Sequence, residues 1–303
     1  MSAKKRYPAA IMGTCVVPWT ADLKFDEKLF RAQVRSIAQG LTKHLYVFGT
    51  AGEGYAVTDS QFESIARAFY EEGTANGVET TLGIISLSLP TILERIEKGR
   101  GWGFRRFQIS LPSWGALKDR EVEAFFQETC GRFTDNSFMH YNLMRTKRLI
   151  TGTEYGRLAE KHPNFVATKN GRDEEAFLVE LLEKSPQLQH FLGESGYARM
   201  RDRFECGLLI SLAATNHSQA KAFLAARGDR LKKMGGELKP ALEALLTAAG
   251  KNEFMDGAYD KLLYKLHEPG FPLRLLPPYE SFTEGDFKTY QEKLKKAAPS
   301  WMP

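Results

Sequence analysis

The chain has 303 residues, of which 43% are hydrophobic and 26% charged, with a formal net charge of +5. That is length for one large domain with a smaller appendage, in the balance of an ordinary globular protein. No apolar run approaches the ~18–20 residues of a membrane-spanning helix, and no RNP, zinc-finger or basic-region pattern occurs, so neither a membrane nor a nucleic-acid partner is expected, whereas the mild positive excess suits a small anionic substrate.

Lys4, Lys5 and Arg6 precede the apolar run AAIMGTCVV and imitate a secretory leader. The run stops at Pro18 and Trp19 without a small-residue cleavage site, and is read as a first buried strand. In FDEKLFRAQVRSIAQG, Asp26 is the expected helix cap. Leu29, Phe30, Val34 and Ile37 recur on one face, and Gly40 follows the end.

A second strand, HLYVFGT, runs into the turn GTAGEG. Gly49, Gly52 and Gly54 let the backbone turn tightly, and Thr50 adds a hydroxyl beside exposed amides. Such a loop makes a nest for an anion, most simply a carboxylate, although a plain turn explains it equally. The spacing is neither that of a phosphate-binding Walker loop nor that of a dinucleotide fingerprint. Glu53 reads either as a buried hydrogen-bond partner or as a loop charge. Thr58 and Gln61 then form a capping box, Phe62, Ile65, Ala66 and Phe69 share a face, and Gly73 ends the helix.

TTLGII and RRFQISL are the third and fourth strands, the latter followed by LPSWG. The fifth, SFMHYNL, brings Tyr141 to a strand end, where a phenol either moves protons or fills space. His140 points the opposite way, because successive strand residues alternate, and is not expected to be catalytic. Thr151 and Glu154 open another helix that Pro163 closes.

The sixth strand, NFVATK, ends in Lys169, which shares a face with Phe165 and Ala167. If Ala167 faces a barrel interior, so does the lysine; a solvated strand end is the other reading. Loss of hydration disfavours the ammonium, and a drop of about three units from ~10.4 costs roughly 4 kcal/mol. The resulting free amine is what imine formation with a carbonyl substrate requires.

LQHFLG and GLLISLA complete eight strands, several apolar throughout, as strands covered on both faces should be. They recur roughly every 20 to 35 residues, the length of a strand–helix unit. Beyond residue 225 the strand signal stops, and GGELKPALEALLTAAG, EFMDGAYDKLLYKLHEPG and TEGDFKTYQEKLKKAA read as three helices. The expected architecture is a (β/α)8 TIM barrel over residues 1–225 with a three-helix C-terminal extension over 226–303. An open doubly wound sheet would carry a glycine-rich phosphate turn after its first strand, where this chain has VVPWTAD. Cys15, Cys130 and Cys206 are dispersed and form no CxxC, so a disulfide framework or zinc knuckle is not indicated and a reducing cytoplasm is expected.

GTAGEG, then YN at the fifth strand end, then the lysine closing the sixth, resemble in order and spacing the dihydrodipicolinate synthase/N-acetylneuraminate lyase family, over essentially the whole chain. The resemblance implies a homotetrameric or homodimeric barrel and a class I aldolase mechanism that uses no metal and no cofactor beyond a covalent imine. On that basis Lys169 forms a Schiff base with pyruvate or another 2-oxo acid, and Tyr141 shuttles protons. Gly49, Thr50 and Ala51 hold the substrate carboxylate, Thr50 also serving in catalysis.

The chain departs from the family's pattern at several points. Ala51 stands where synthases have a second threonine, and Ser113 and Trp114 stand where they have tyrosines. YNLMRT lacks their proline and brings Arg145 one place earlier, toward an acidic second substrate. GESG puts Glu194 and Ser195 where related lyases hold the distal part of a sugar acid, and Ile210, at the eighth strand end, joins the substrate-binding set. The expected activity is a lyase, aldolase or dehydratase, for a sugar-acid-like or hydrophobic 2-oxo acid, with Trp114 shaping the pocket. The alternatives are a 4-hydroxy-tetrahydrodipicolinate synthase condensing pyruvate with aspartate semialdehyde through a rebuilt relay, and a non-catalytic barrel that only binds a 2-oxo acid.

Overall fold

The helix starts foreseen from side-chain caps are hydrogen-bonded caps in the computed structural model, which describes residues 6–250 and 252–303; Lys4 and Lys5 lie outside them. Asp26 accepts from the Leu29 amide at the head of α1 (Glu27–Gly40). Thr58 and Gln61 close a reciprocal box on α2 (Asp59–Ala75), and Thr151 and Glu154 do so on α5 (Gly152–Lys161). Each such cap satisfies amides that have no partner within the helix. The other helices are α3 (Leu89–Gly101), α4 (Asp119–Phe126), α6 (Glu175–Lys184), α7 (Glu194–Met200), α8 (His217–Ala225), α9 (Gly228–Ala249), α10 (Asp256–Tyr264) and α11 (Glu284–Ala297).

α9 differs from the expected helix, beginning at Gly228 instead of near Gly235 and continuing through Pro240. Glycine costs about 1 kcal/mol and proline about 3 kcal/mol in a helix interior. The buried face of Leu231, Met234, Leu238 and Ala241 runs across the interruption and offsets that cost.

All eight foreseen strands form: β1 (Ile11–Thr14), β2 (His44–Val47), β3 (Glu79–Gly83), β4 (Arg106–Ile109), β5 (Ser137–Asn142), β6 (Phe165–Asn170), β7 (Gln189–Leu192) and β8 (Gly207–Leu209). They are parallel and close into a barrel in chain order, the (β/α)8 fold. Most are shorter than the apolar runs that announced them, because burial continues past the ladder: Cys15, Val16 and Val17 follow β1 and are at most 2% exposed.

The chain divides into two compact units, residues 1–12 with 80–209, and 13–79 with 210–303. In the first, Phe126 packs on His140, His162 and Phe165, and the Tyr7 ring meets Phe191 edge-on at 5.6 Å. The second holds β2, α1 and α2 together with α8 to α11, with α1 packed on α2 and α11 along α9. Among the described residues no helix is long and apolar enough to cross a membrane.

Candidate active site

Strand alternation decides where the reactive candidates of β5 and β6 point. Thr168 Oγ1 lies 2.7 Å from His190 Nδ1, and His190 Nε2 is 2.9 Å from the Ser185 carbonyl at the end of α6. His140 Nδ1 lies 2.7 Å from the Tyr155 hydroxyl of α5. Thr168 and His140 therefore face the helical layer, and Lys169 and Tyr141, one residue on, face the barrel. Burial pushes His140 down to about 3, which leaves it a neutral packing residue.

Tyr141 and Lys169 are register partners on adjacent strands, 8% and 4% exposed. Lys169 Nζ lies 3.9 Å from the centroid of the Tyr141 ring. The loop after Tyr141 is pinned by Asn142, whose side chain donates to the Ile150 carbonyl at 2.9 Å and accepts from its amide at 3.0 Å. A buried amine against a phenol is an arrangement that can form an imine and deliver protons to it.

The turn after β2 lies in the other unit. Phe48 and Glu53 both take left-handed backbone conformations, with φ of 62° and 55°. The chain folds back so tightly that a Cβ on Gly52 would stand 2.7 Å from the Phe48 nitrogen. Thr50 is 2% exposed, and its hydroxyl has no hydrogen-bond partner among the described residues. An unmet buried hydroxyl costs about 1–3 kcal/mol, which a ligand oxygen would relieve. Ala51 turns away into an apolar cluster with Val16 and Phe271.

Glu53 is a buried partner and not a loop charge. Its carboxylate accepts from Trp19 Nε1 at 2.9 Å, from Lys261 Nζ at 2.5 Å and from the Leu276 amide at 2.7 Å. Lys261 also donates to the Arg274 carbonyl at 2.6 Å, and Arg274 donates to the Trp19 carbonyl at 2.7 Å. Burial pulls Lys261 down to about 8 in spite of the adjacent carboxylate. Lys261, Trp19 and Arg274 escaped sequence reasoning. The one available signal was Lys261 and Lys265 set four apart around apolar residues in KLLYK.

The remaining candidates differ in burial and surroundings. Trp114 is 83% exposed, and its carbonyl accepts from Lys147 Nζ at 3.3 Å. Arg145 is exposed in a single 3-10 turn, Met144–Thr146. Ser195 is exposed in the first turn of α7, where Arg199 Nη2 approaches its hydroxyl at 3.5 Å. Ile210 is buried and lines a cavity with Gln33, Ile37 and His217. Among the described residues no group of three His, Cys, Asp or Glu side chains is placed to hold a metal ion.

The profile of the Dihydrodipicolinate synthetase family matches residues 7–224. The chain belongs to that family. It is therefore an enzyme of the class I, Schiff-base lyase kind. A 4-hydroxy-tetrahydrodipicolinate synthase from Exiguobacterium sibiricum is 22% identical over 236 residues, 76% of this chain and 80% of that relative. A dihydrodipicolinate synthase from Cyanidioschyzon merolae, solved with lysine bound, superposes with a TM-score of 0.84 at 18% identity, over 97% of this chain and 99% of that one. A prophage protein of the dihydrodipicolinic acid synthase family from E. coli K12, solved with pyruvate, gives 0.83 at 16% identity, over 95% and 98%. At such identities the superpositions speak for the shared barrel.

Proposed function

We propose that this family member is a lyase acting on a sugar-acid-like or hydrophobic 2-oxo acid through an imine at Lys169, as an aldolase or a dehydratase. The observation that carries the reading is the buried Lys169 amine, 3.9 Å from the Tyr141 ring centroid. The neutral amine adds to the keto carbon, and the carbinolamine oxygen leaves as water after taking a proton from the Tyr141 phenol. The protonated imine then withdraws electrons, so that the adjacent carbon gives up a proton, or its bond to the next carbon, with the electron pair drawn toward the iminium to form an enamine. In an aldolase the enamine is reprotonated on carbon; in a dehydratase it expels the neighbouring hydroxyl, which leaves with the C–O electron pair and takes a proton to become water. Hydrolysis returns the 2-oxo acid and the free lysine.

Thr50, with Gly49 and Ala51, is assigned the substrate carboxylate, supported by the unpartnered Thr50 hydroxyl. Ala51 contributes backbone only, and the proton path runs through Tyr141 without a second threonine. Arg145 is assigned an anionic group of the substrate's distal part, and Trp114, Ser195 and Ile210 its remainder. We assign catalysis to residues 1–225 with 226–303 as a packed extension, in a homotetramer or homodimer. The dispersed spacing of Cys15, Cys130 and Cys206, without a CxxC pair, favours a reducing cytoplasm.

Borohydride reduction in the presence of pyruvate tests the reading. The expected result is a mass increment on the peptide carrying Lys169, and its failure with pyruvate and a panel of 2-oxo acids overturns the imine. The second reading, pyruvate condensation with aspartate semialdehyde, is favoured by the name of the Exiguobacterium relative. It stands only if that pair of substrates turns over.

A further inference from the structure

The turn assigned to the substrate carboxylate does not hold its shape unaided. Two of its non-glycine residues, Phe48 and Glu53, are left-handed, a conformation that persists only where the surroundings enforce it. The enforcement comes from α10 and the segment that follows it. Lys261 of α10 and the Leu276 amide grip opposite oxygens of Glu53, and Arg274 ties the same network to Trp19. Gly257, in the first turn of α10, lies flat against the turn itself: a Cβ there would stand 2.8 Å from the Ala51 carbonyl oxygen. The Tyr279 ring meets Tyr55 edge-on at 5.1 Å, at the end of the same loop.

None of these groups bonds the Thr50 hydroxyl, which is buried without a hydrogen-bond partner among the described residues. We infer that Gly257 and Lys261 are positioning residues for the 2-oxo acid site: through Ala51 and Glu53 they set the place of the Thr50 hydroxyl and its neighbouring amides. The inference rests on the Schiff-base reading and adds that α10 controls carboxylate affinity while leaving imine chemistry at Lys169 intact. A buried ion pair that served only as a structural staple would affect stability alone.

The test uses the full chain and pyruvate as probe, measuring the pyruvate concentration that gives half-maximal borohydride trapping on Lys169. In Gly257→Ala and Lys261→Met that concentration is expected to rise at least about tenfold, since sub-ångström to ångström misplacement of a binding group has effects of this order or larger. The extent of trapping at saturating pyruvate should stay near that of the unsubstituted chain. Leu294→Ala, a core truncation in α11, should lower the unfolding midpoint without moving half-saturation. Unchanged half-saturation in folded Gly257→Ala and Lys261→Met, or an equal shift in Leu294→Ala, overturns the inference. If Lys261→Met does not fold, Gly257→Ala decides by itself. If the unsubstituted chain traps no 2-oxo acid at all, the Schiff-base reading falls first and takes this inference with it.

Discussion

Lys261 and Glu53 are both 0% exposed, so each neutralises a charge the other could not bear alone. Removing one member of such a pair strands the other, at a cost of about 3–5 kcal/mol. Lys261→Met is therefore expected to lose that much stability in urea, and adding Glu53→Gln should restore a large part of it. Additive losses across the double-mutant cycle would show that the two side chains are not coupled. Ala51 makes the complementary case. Its methyl packs with Val16 and Phe271, so Ala51→Thr places a hydroxyl in an apolar cluster and should cost about 1–3 kcal/mol. The threonine that synthases carry there should not speed imine trapping, and a faster trapping rate would show that the hydroxyl reaches the proton path.

At the scale of elements, the strands sort their residues by face. On β5 and β6 the outward His140 and Thr168 hold the helical layer, and the inward Tyr141 and Lys169 set a buried amine against a phenol ring. β4 breaks the pattern of useful polar groups. Gln108 is 0% exposed, opposite Gly83 and Met139 in the ladder, and neither its amide nitrogen nor its carbonyl oxygen has a partner among the described residues. Gln108→Leu keeps the shape and removes the unmet groups, and should raise the unfolding free energy by about 1–2 kcal/mol. A fall in stability would show that ordered water meets the carboxamide inside the barrel.

Legibility in the sequence followed the range of the interaction. Caps such as Thr58 with Gln61 span one helical turn and were readable. So was the burial of Lys169, because an amine closing an otherwise apolar run is locally out of place. The start of α9 was not, since Gly235, Gly236 and Pro240 signal a break that tertiary burial overrides. The Glu53–Lys261 pair joins residues 208 apart and leaves no local pattern at either end.

For the molecule as a whole, the three imidazoles that burial pushes furthest down, His140 and His190 in the core and the half-buried His217, set the acid limit of stability. Burial pushes His140 down to about 3, and His190 and His217 down to about 4. Each has partners of its own: His140 lies against Tyr155, His190 between Thr168 and Ser185 with the Arg6 charge near, and His217 is stacked on His267 at 4.2 Å with the Lys221 charge near. Unfolding releases all three to the ordinary value of about 6.5. Between that value and about 4 the unfolded chain binds more protons than the folded one, so stability is complete above pH 6.5 and is lost as the pH falls. With three groups titrating only in the unfolded state, the slope approaches about 4 kcal/mol per pH unit. Urea midpoints at pH 7, 6 and 5, where most carboxylates stay ionised, should fall progressively. His190→Gln should flatten that fall by about a third, the share of one imidazole in three. Midpoints that stay level from pH 7 to 5 would mean that these histidines bind protons in the folded chain, and that the helical layer around β5 and β7 admits charge.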